Sequence, residues 1–244
     1  MAGAFRSVKQ VVPVSVKRRI KRMVPRRYHR LFDPDWHRRT IGNPRRWEEL
    51  AELQFAYLVD HGLEPEHYLL DVGCGPLRGG IRFIRYLEPG RYYGVEKDAD
   101  VLEEAGRVEL PREGLVDKRP VLVPMENFDF PSLGRAFDFA LAQSVFTHLT
   151  VNSIIRCLMQ MERVLAPGGR FFATYWENPD GKFNLDPVRQ SEHKVTHFDQ
   201  DAFHYDLGTF EWICEETSLS VKDLGEWGHP QRQKMLVFTR QQAA

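Results

Sequence analysis

Two hydrophobic rhythms alternate along the chain, and the change between them near residue 72 organises the rest. Tyr68-Leu69-Leu70-Asp71-Val72 is an apolar run with one acid in it, the length of a buried strand. It breaks into Gly73-Cys74-Gly75-Pro76 and restarts at helical spacing over residues 81–87. Comparable strand-length runs stand at 91–96, 121–123, 137–142, 171–176, 221–225 and 234–239. Between them, 3.6-residue periodicity predicts helices over 100–108, 151–165 and 207–219. A further helix over 47–61 precedes the first strand, with Trp47, Leu50, Leu53, Tyr57 and Leu58 on one face and Gly62 as its stop. Asp98 or Asp100 is placed to cap the helix that follows. Strands alternating with helices predict an α/β fold with a largely parallel sheet.

Residues 177–205 break this rhythm. They are polar and rich in histidine (His193, His197, His204), and a connection of that length without strong periodicity is usually functional or mobile. The expectation is a lid inserted into a domain that spans 47–244. Residues 1–46 are a separate case, because 14 Lys/Arg stand there against only Asp33 and Asp35. With 34 of each charge type in the chain, the rest keeps 20 basic and 32 acidic residues, so formal neutrality hides an acidic domain with a basic arm. In the arm Val16, Ile20, Met23, Tyr28 and Leu31 recur between cations, a basic amphipathic helix interrupted at Pro25. Such a helix suits an anionic membrane surface, and its apolar stripe can equally dock on the domain. Nucleic acid is the least favoured partner, since no stacking aromatics interleave the charges.

Three cysteines, Cys74, Cys157 and Cys214, are odd in number and widely spaced, as expected of reduced thiols in the cytoplasm. No run approaches the length of a membrane span, and the N-terminus lacks a signal-type apolar core.

The chemistry follows from the break at Gly73. Glycines there let the backbone turn sharply and approach a ligand, and the helix start beyond offers unpaired N–H groups. A dinucleotide fingerprint would need glycine at position 78, where Arg78 stands. Instead Asp71 lies two residues before the first glycine, and a second acid, Glu96, ends the next strand. A carboxylate there can accept both hydroxyls of a ribose.

Asp-x-Gly-x-Gly with that second acid resembles the S-adenosylmethionine (SAM) site of class I methyltransferases. The resemblance continues through Phe137-Asp138, Ser144-Val145-Phe146-Thr147-His148-Leu149 and Leu165-Ala166-Pro167-Gly168-Gly169, and so covers about residues 66–176. It implies a Rossmann-like doubly wound seven-stranded sheet with an antiparallel last strand, extended by the N-terminal helical arm. It implies SAM as cofactor and S-adenosylhomocysteine (SAH) as product. By position the cofactor contacts would be Asp71, Gly73, Cys74, Gly75, Arg78, Glu96, Met125, Glu126, Asn127 and Gln143. Arg78 could pair with the cofactor's carboxylate or with an acid of the fold. Glu126 or Asn127 would reach the adenine amino group, with Met125 as an apolar wall.

A hydroxyl acceptor needs a general base near neutral pH, and His148, leaving the fourth strand, is the first candidate, with His197 and His204 in the insert behind it. Each of these can instead be a loop histidine bonded to backbone. His197, Asp199, Asp201 and His204 fit no specific metal motif, so no metal is expected. The chain lacks the Asn/Asp-Pro-Pro-aromatic motif of exocyclic base methyltransferases and the Pro-Cys of pyrimidine C5 enzymes. Leu77-Arg78-Gly79-Gly80 and His229-Pro230-Gln231-Arg232-Gln233 resemble bacterial methyltransferases of polysaccharide or glycolipid pathways. The expected activity is O-methylation of a small molecule, sugar or glycolipid, in the cytoplasm or at the inner face of its membrane. A protein or RNA acceptor recruited by the arm, or a non-catalytic binding subunit, are the alternatives.

Overall fold

The computed structural model describes residues 29, 31, 33–41, 44–178, 185–192 and 194–241. The helix expected in the basic arm falls almost wholly outside them. Among the described residues, no helix is long and apolar enough to cross a membrane.

Seven strands form one sheet. They are β1 (Leu69–Val72), β2 (Tyr92–Glu96), β3 (Val121–Pro124), β4 (Phe137–Ala142), β5 (Leu165–Tyr175), β8 (Leu219–Glu226) and β9 (Lys234–Arg240), in the order β3-β2-β1-β4-β5-β9-β8. Strands β1 to β5 run parallel, and β9 is antiparallel to both β5 and β8. The order reverses beside β1, so the crevice outside the carboxyl ends of β1 and β4 is where such a sheet takes ligands. β6 (Val188–Ser191) and β7 (Lys194–Thr196) make a small hairpin inside the insert.

Among the described residues, five α-helices cover the faces: α1 (Trp47–Asp60), α2 (Gly80–Tyr86), α3 (Ala99–Arg112), α4 (Val151–Val164) and α5 (Leu207–Glu215). Side chains alternate across the strands and divide the core in two. Leu70, Ala140, Phe171 and Phe238 meet Ile154, Cys157, Met161 and Phe210 of α4 and α5. Leu69, Leu141, Phe172 and Val237 meet Leu58, Phe83 and Leu102 of α1, α2 and α3. Both faces of each central strand are thus buried, which is why these strands read as unbroken apolar runs.

Local chemistry sets the ends. α1 closes as a Schellman turn, with Leu63 N–H donating to Leu58 O at 2.9 Å and Gly62 N–H to Val59 O at 2.8 Å. Gly62 takes the left-handed conformation this requires, at φ 86°. Asp98 caps α3 by accepting from Val101 N–H. α5 is shorter than its periodicity predicts, because Thr217 turns its hydroxyl onto Cys214 O and the chain passes through Ser218 into β8. β5 begins directly after α4, and its pairing with β4 skips from Phe137–Leu165 to Phe139–Arg170, so Ala166-Pro167-Gly168-Gly169 bulges out of the ladder.

The end of the insert pairs with the chain just beyond β5. Asn178 N–H donates to Tyr205 O and Tyr205 N–H to Trp176 O, each at 2.9 Å. Tyr205 Oη donates to Leu149 O at 2.5 Å, and Ala202, Phe203, His204 and Tyr205 are buried.

Candidate active site

β1 delivers Asp71 and the glycine loop to the switch point. Gly73 turns with φ 69°, and a Cβ added to it would lie 2.6 Å from Val145 Cγ2 of the loop after β4. A side chain there would displace Val145, so the Gly73 backbone packs directly against the Val145 side chain. The loop is pinned to β2 by Gly73 and Cys74 N–H groups that donate to Val95 O at 2.8 and 3.1 Å.

Glu96, the last residue of β2, accepts Gly75 N–H at Oε2 (3.1 Å) and Asp98 N–H at Oε1 (2.9 Å). Each oxygen keeps a further lone pair for a ligand donor. Burial raises the Glu96 pKa, and the Gly75 N–H opposes that shift. Asp71 is 5% exposed and accepts from Tyr92 Oη at 2.7 Å. Burial drives its pKa up to about 6; the Tyr92 hydrogen bond and Arg78 pull it down, while Glu96 pushes it up. Cys74 is buried, and its thiol is pushed up well above its ordinary range, which leaves it protonated and unreactive.

Beyond the loop stands a polar network the sequence only partly foretold. Arg78 Nη2 donates to Gln143 Oε1 at 2.8 Å, and Gln54 Nε2 of α1 donates to the same oxygen at 3.2 Å. Gln143 Nε2 donates to Ser144 Oγ at 2.6 Å, and Ser144 Oγ and Thr174 Oγ1 donate to Gln233 Oε1 at 3.0 and 2.7 Å. These directions fix the Gln143 amide, whose second N–H faces His229 Nε2 at 3.3 Å. The other ring nitrogen of His229 faces Gln231 N–H, also at 3.3 Å. A neutral imidazole keeps one N–H and so accepts from only one of these two donors, and a second proton would remove that bond as well. Burial, then the charges of Arg78 and Arg46, hold its pKa down to about 4. His229 is therefore a neutral acceptor, stacked on Trp227 with ring centroids 5.4 Å apart.

Among the described residues Arg78 has no carboxylate partner within hydrogen-bond distance, and its buried Nε has no partner. Burial pushes its pKa down to about 10, against the pull of Asp71. A buried guanidinium served by a neutral amide is suited to an incoming anion.

The loop after β3 reaches the same edge, since Met125 N–H donates to Glu96 O at 2.9 Å. Met125 is half-buried, while Glu126 and Asn127 are exposed, and Asn127 Oδ1 accepts from Asp129 N–H at 3.3 Å. The candidate histidines separate widely. His148 is 47% exposed, and its Nδ1 lies 2.5 Å from Asp201 Oδ1. His204 is buried, with Nδ1 3.0 Å from Thr196 Oγ1. His197 is half-buried, and its backbone N–H donates to Ala202 O at 2.8 Å. Among the described residues, no group of three or more His, Cys, Asp or Glu side chains could hold a metal ion.

Sequence reasoning missed Tyr92, Gln54 and Thr174, and it met His229 and Gln233 only as parts of a hairpin motif, with no role in this network. One signal was available. Trp47, Leu50, Gln54 and Leu58 are the buried stripe of α1, and an amide in an apolar stripe has to find a buried partner.

A family model described as a methyltransferase domain matches residues 70–171, from β1 into β5. Residues 70–171 thus carry a methyltransferase domain, and the fold is that of class I SAM-dependent methyltransferases. Within that domain lie the glycine loop, Glu96, the loop after β3 and Gln143. The chain is 29% identical over 128 residues to a probable methyltransferase, ltbC, of Aspergillus luteorubrus, a match covering 49% of this chain and 43% of that protein. It thus spans less than half of that relative's length. Two solved structures share the methyltransferase fold at low identity. A magnesium protoporphyrin IX methyltransferase from Synechocystis with bound SAM has TM-score 0.60 and 14% identity, over 89% of this chain and 98% of that one. An amino pentose methyltransferase from Micromonospora echinaspora, CalS10, also with SAM bound, has TM-score 0.57 and 19% identity, over 86% and 96%.

Proposed function

We propose that this methyltransferase domain binds SAM in the glycine loop and moves its methyl group to a hydroxyl of a small-molecule, sugar or glycolipid acceptor. The observation that carries the reading is Glu96, held by Gly75 and Asp98 N–H groups beside a loop that only glycine can form. Its free lone pairs suit the two ribose hydroxyls, and the Arg78 guanidinium, which is bonded to the neutral Gln143 amide and has no carboxylate partner among the described residues, suits the methionine carboxylate. Met125, Glu126 and Asn127 follow β3 at the adenine side. When bound, SAM supplies the electrophilic methyl; the chain's own part is to align an acceptor with it, which is worth several kcal/mol.

For the acceptor side, His148 is supported by Asp201. A carboxylate on Nδ1 fixes the tautomer and leaves Nε2 as the proton acceptor, on a residue open enough for an acceptor to reach. The network around Gln143 contributes a cation, amides, hydroxyls and a neutral histidine, an environment that favours a neutral hydroxyl over an ammonium group. The basic arm would carry the domain to an anionic membrane surface, where a glycolipid acceptor resides.

The test is calorimetric titration of SAM and SAH into the unaltered chain and Glu96→Ala. We expect binding that weakens by about 1.5–3 kcal/mol on loss of the charge-assisted bonds. No binding by the unaltered chain would sink the proposal. Against a panel of hydroxylated sugars and glycolipids, His148→Ala should lower turnover about 100-fold or more and leave SAH affinity within twofold. Turnover near that of the unaltered chain would remove His148 as the base.

A further inference from the structure

Glu109, near the end of α3, is a fully buried carboxylate, and isolated burial of such a charge is prohibitive. It persists because two arginines and a histidine ring nitrogen converge on it. Arg38 donates from Nε and Nη2 at 2.7 and 2.6 Å, His37 Nε2 lies 2.6 Å away, and Arg112 Nη1 lies 3.2 Å away. Burial raises the Glu109 pKa, but the hydrogen bonds of Arg38 and His37 outweigh it and bring the carboxyl down to about 2. Only Arg112 belongs to α3. Arg38 and His37 come from the segment that precedes α1 by sequence, so carboxylate and segment hold each other in place.

The same segment has three more ties. Arg112 Nη2 donates to Asp35 at 2.7 Å, Trp36 is 4% exposed, and the Arg38 guanidinium lies 4.6 Å over the ring of Trp47, the first residue of α1. It therefore crosses from α3 to α1. Thr40 closes a short turn by donating to His37 O at 2.6 Å, and the chain then extends through Ile41. Ile41 Cγ2 sits 3.3 Å from where a Cβ on Gly75 would stand. Gly75 is the residue whose N–H holds Glu96. The ion cluster on α3 thus sets an aliphatic side chain at the edge of the acid-bearing loop.

We infer that residues 33–41 are a strap that walls the cofactor site, with Ile41 as the contact and the Arg38–Glu109 cluster as the anchor that positions it. The inference rests on the cofactor reading above. Its substance is that a ligand between the glycine loop and Glu96 is retained by Ile41 and leaves when the strap shifts. Arg38 acts only through that placement and is a positioning residue.

The experiment is stopped-flow binding and release of SAH by the full chain, by Ile41→Ala, by Arg38→Met and by the double variant, with melting temperatures in parallel. Ile41→Ala should release SAH about fivefold faster, the size expected for a partly buried aliphatic contact. Its melting temperature should scarcely change, because Ile41 is only half-buried. Arg38→Met should shift release in the same direction, and the double variant should add little, since both act through one contact. Unchanged release in both single variants, with only a lower melting temperature for Arg38→Met, would make the strap a structural staple and overturn the inference. An unaltered chain that fails to bind SAH would overturn the cofactor reading and the strap with it.

Discussion

At Asp71 the chain keeps a carboxyl where burial favours its neutral form, and the cost has a definite sign. The folded pKa of about 6 lies above the ordinary 3.8. Between those values the folded chain binds more protons than the unfolded one, so stability present at low pH is lost as pH rises through about 6. The full shift corresponds to at most about 3 kcal/mol. Asp71→Asn removes the titration and keeps an oxygen for Tyr92 Oη. Its melting temperature should rise relative to the unaltered chain between about pH 4 and 7; two curves that run parallel over that window would show the assignment to be wrong. The glycine turn and the two acids Asp71 and Glu96 beside it were legible in the sequence because that motif is local: acid, turn and next strand end follow one another. Tyr92 was not, because its hydroxyl reaches Asp71 only through the pairing of two parallel strands.

Elements repeat this division. Periodicity located the helices and the seven strands of the main sheet, and errors gathered at ends, where side-chain hydrogen bonds outweigh hydrophobic spacing. α5 illustrates both ends. It starts where Asp206 Oδ1 accepts Thr209 N–H at 2.9 Å, with Thr209 Oγ1 donating to Oδ2 at 3.1 Å, and stops at Glu215 before Thr217. Asp206→Ala should lower stability by about 1 kcal/mol, the usual worth of such a cap, in chemical denaturation. A loss below about 0.3 kcal/mol would mean that α5 is held by its Phe210 and Ile213 packing alone. The β6–β7 hairpin escaped notice because its strands of four and three residues are too short to display a period.

Over the whole molecule, the charge division between arm and domain carries a prediction of its own. Deleting residues 1–32 removes ten of the 14 cations of the basic segment and stops just before the strap. Binding to vesicles of anionic lipid should be abolished, while SAH affinity stays within twofold because residues 33–41 are intact. Vesicle binding that survives the deletion would remove the membrane role from the arm.

What the sequence by itself determined is the architecture and the glycine loop after β1. Unbroken apolar runs demand strands covered on both faces, alternation with helices demands parallel order, and glycine with an acid at each strand end marks the ligand edge. What only the tertiary structure decided is which distant polar groups share that edge. Gln54, Arg78, Gln143, Thr174, His229 and Gln233 come from five regions of the chain and meet at the carboxyl ends of β4 and β5. Glu109 finds Arg38 across 71 positions. Hydrophobic pattern fixes which side of an element faces inward; it carries no information about which buried polar group will stand opposite another. That is set by strand register and helix placement, and those exist only once the sheet has closed.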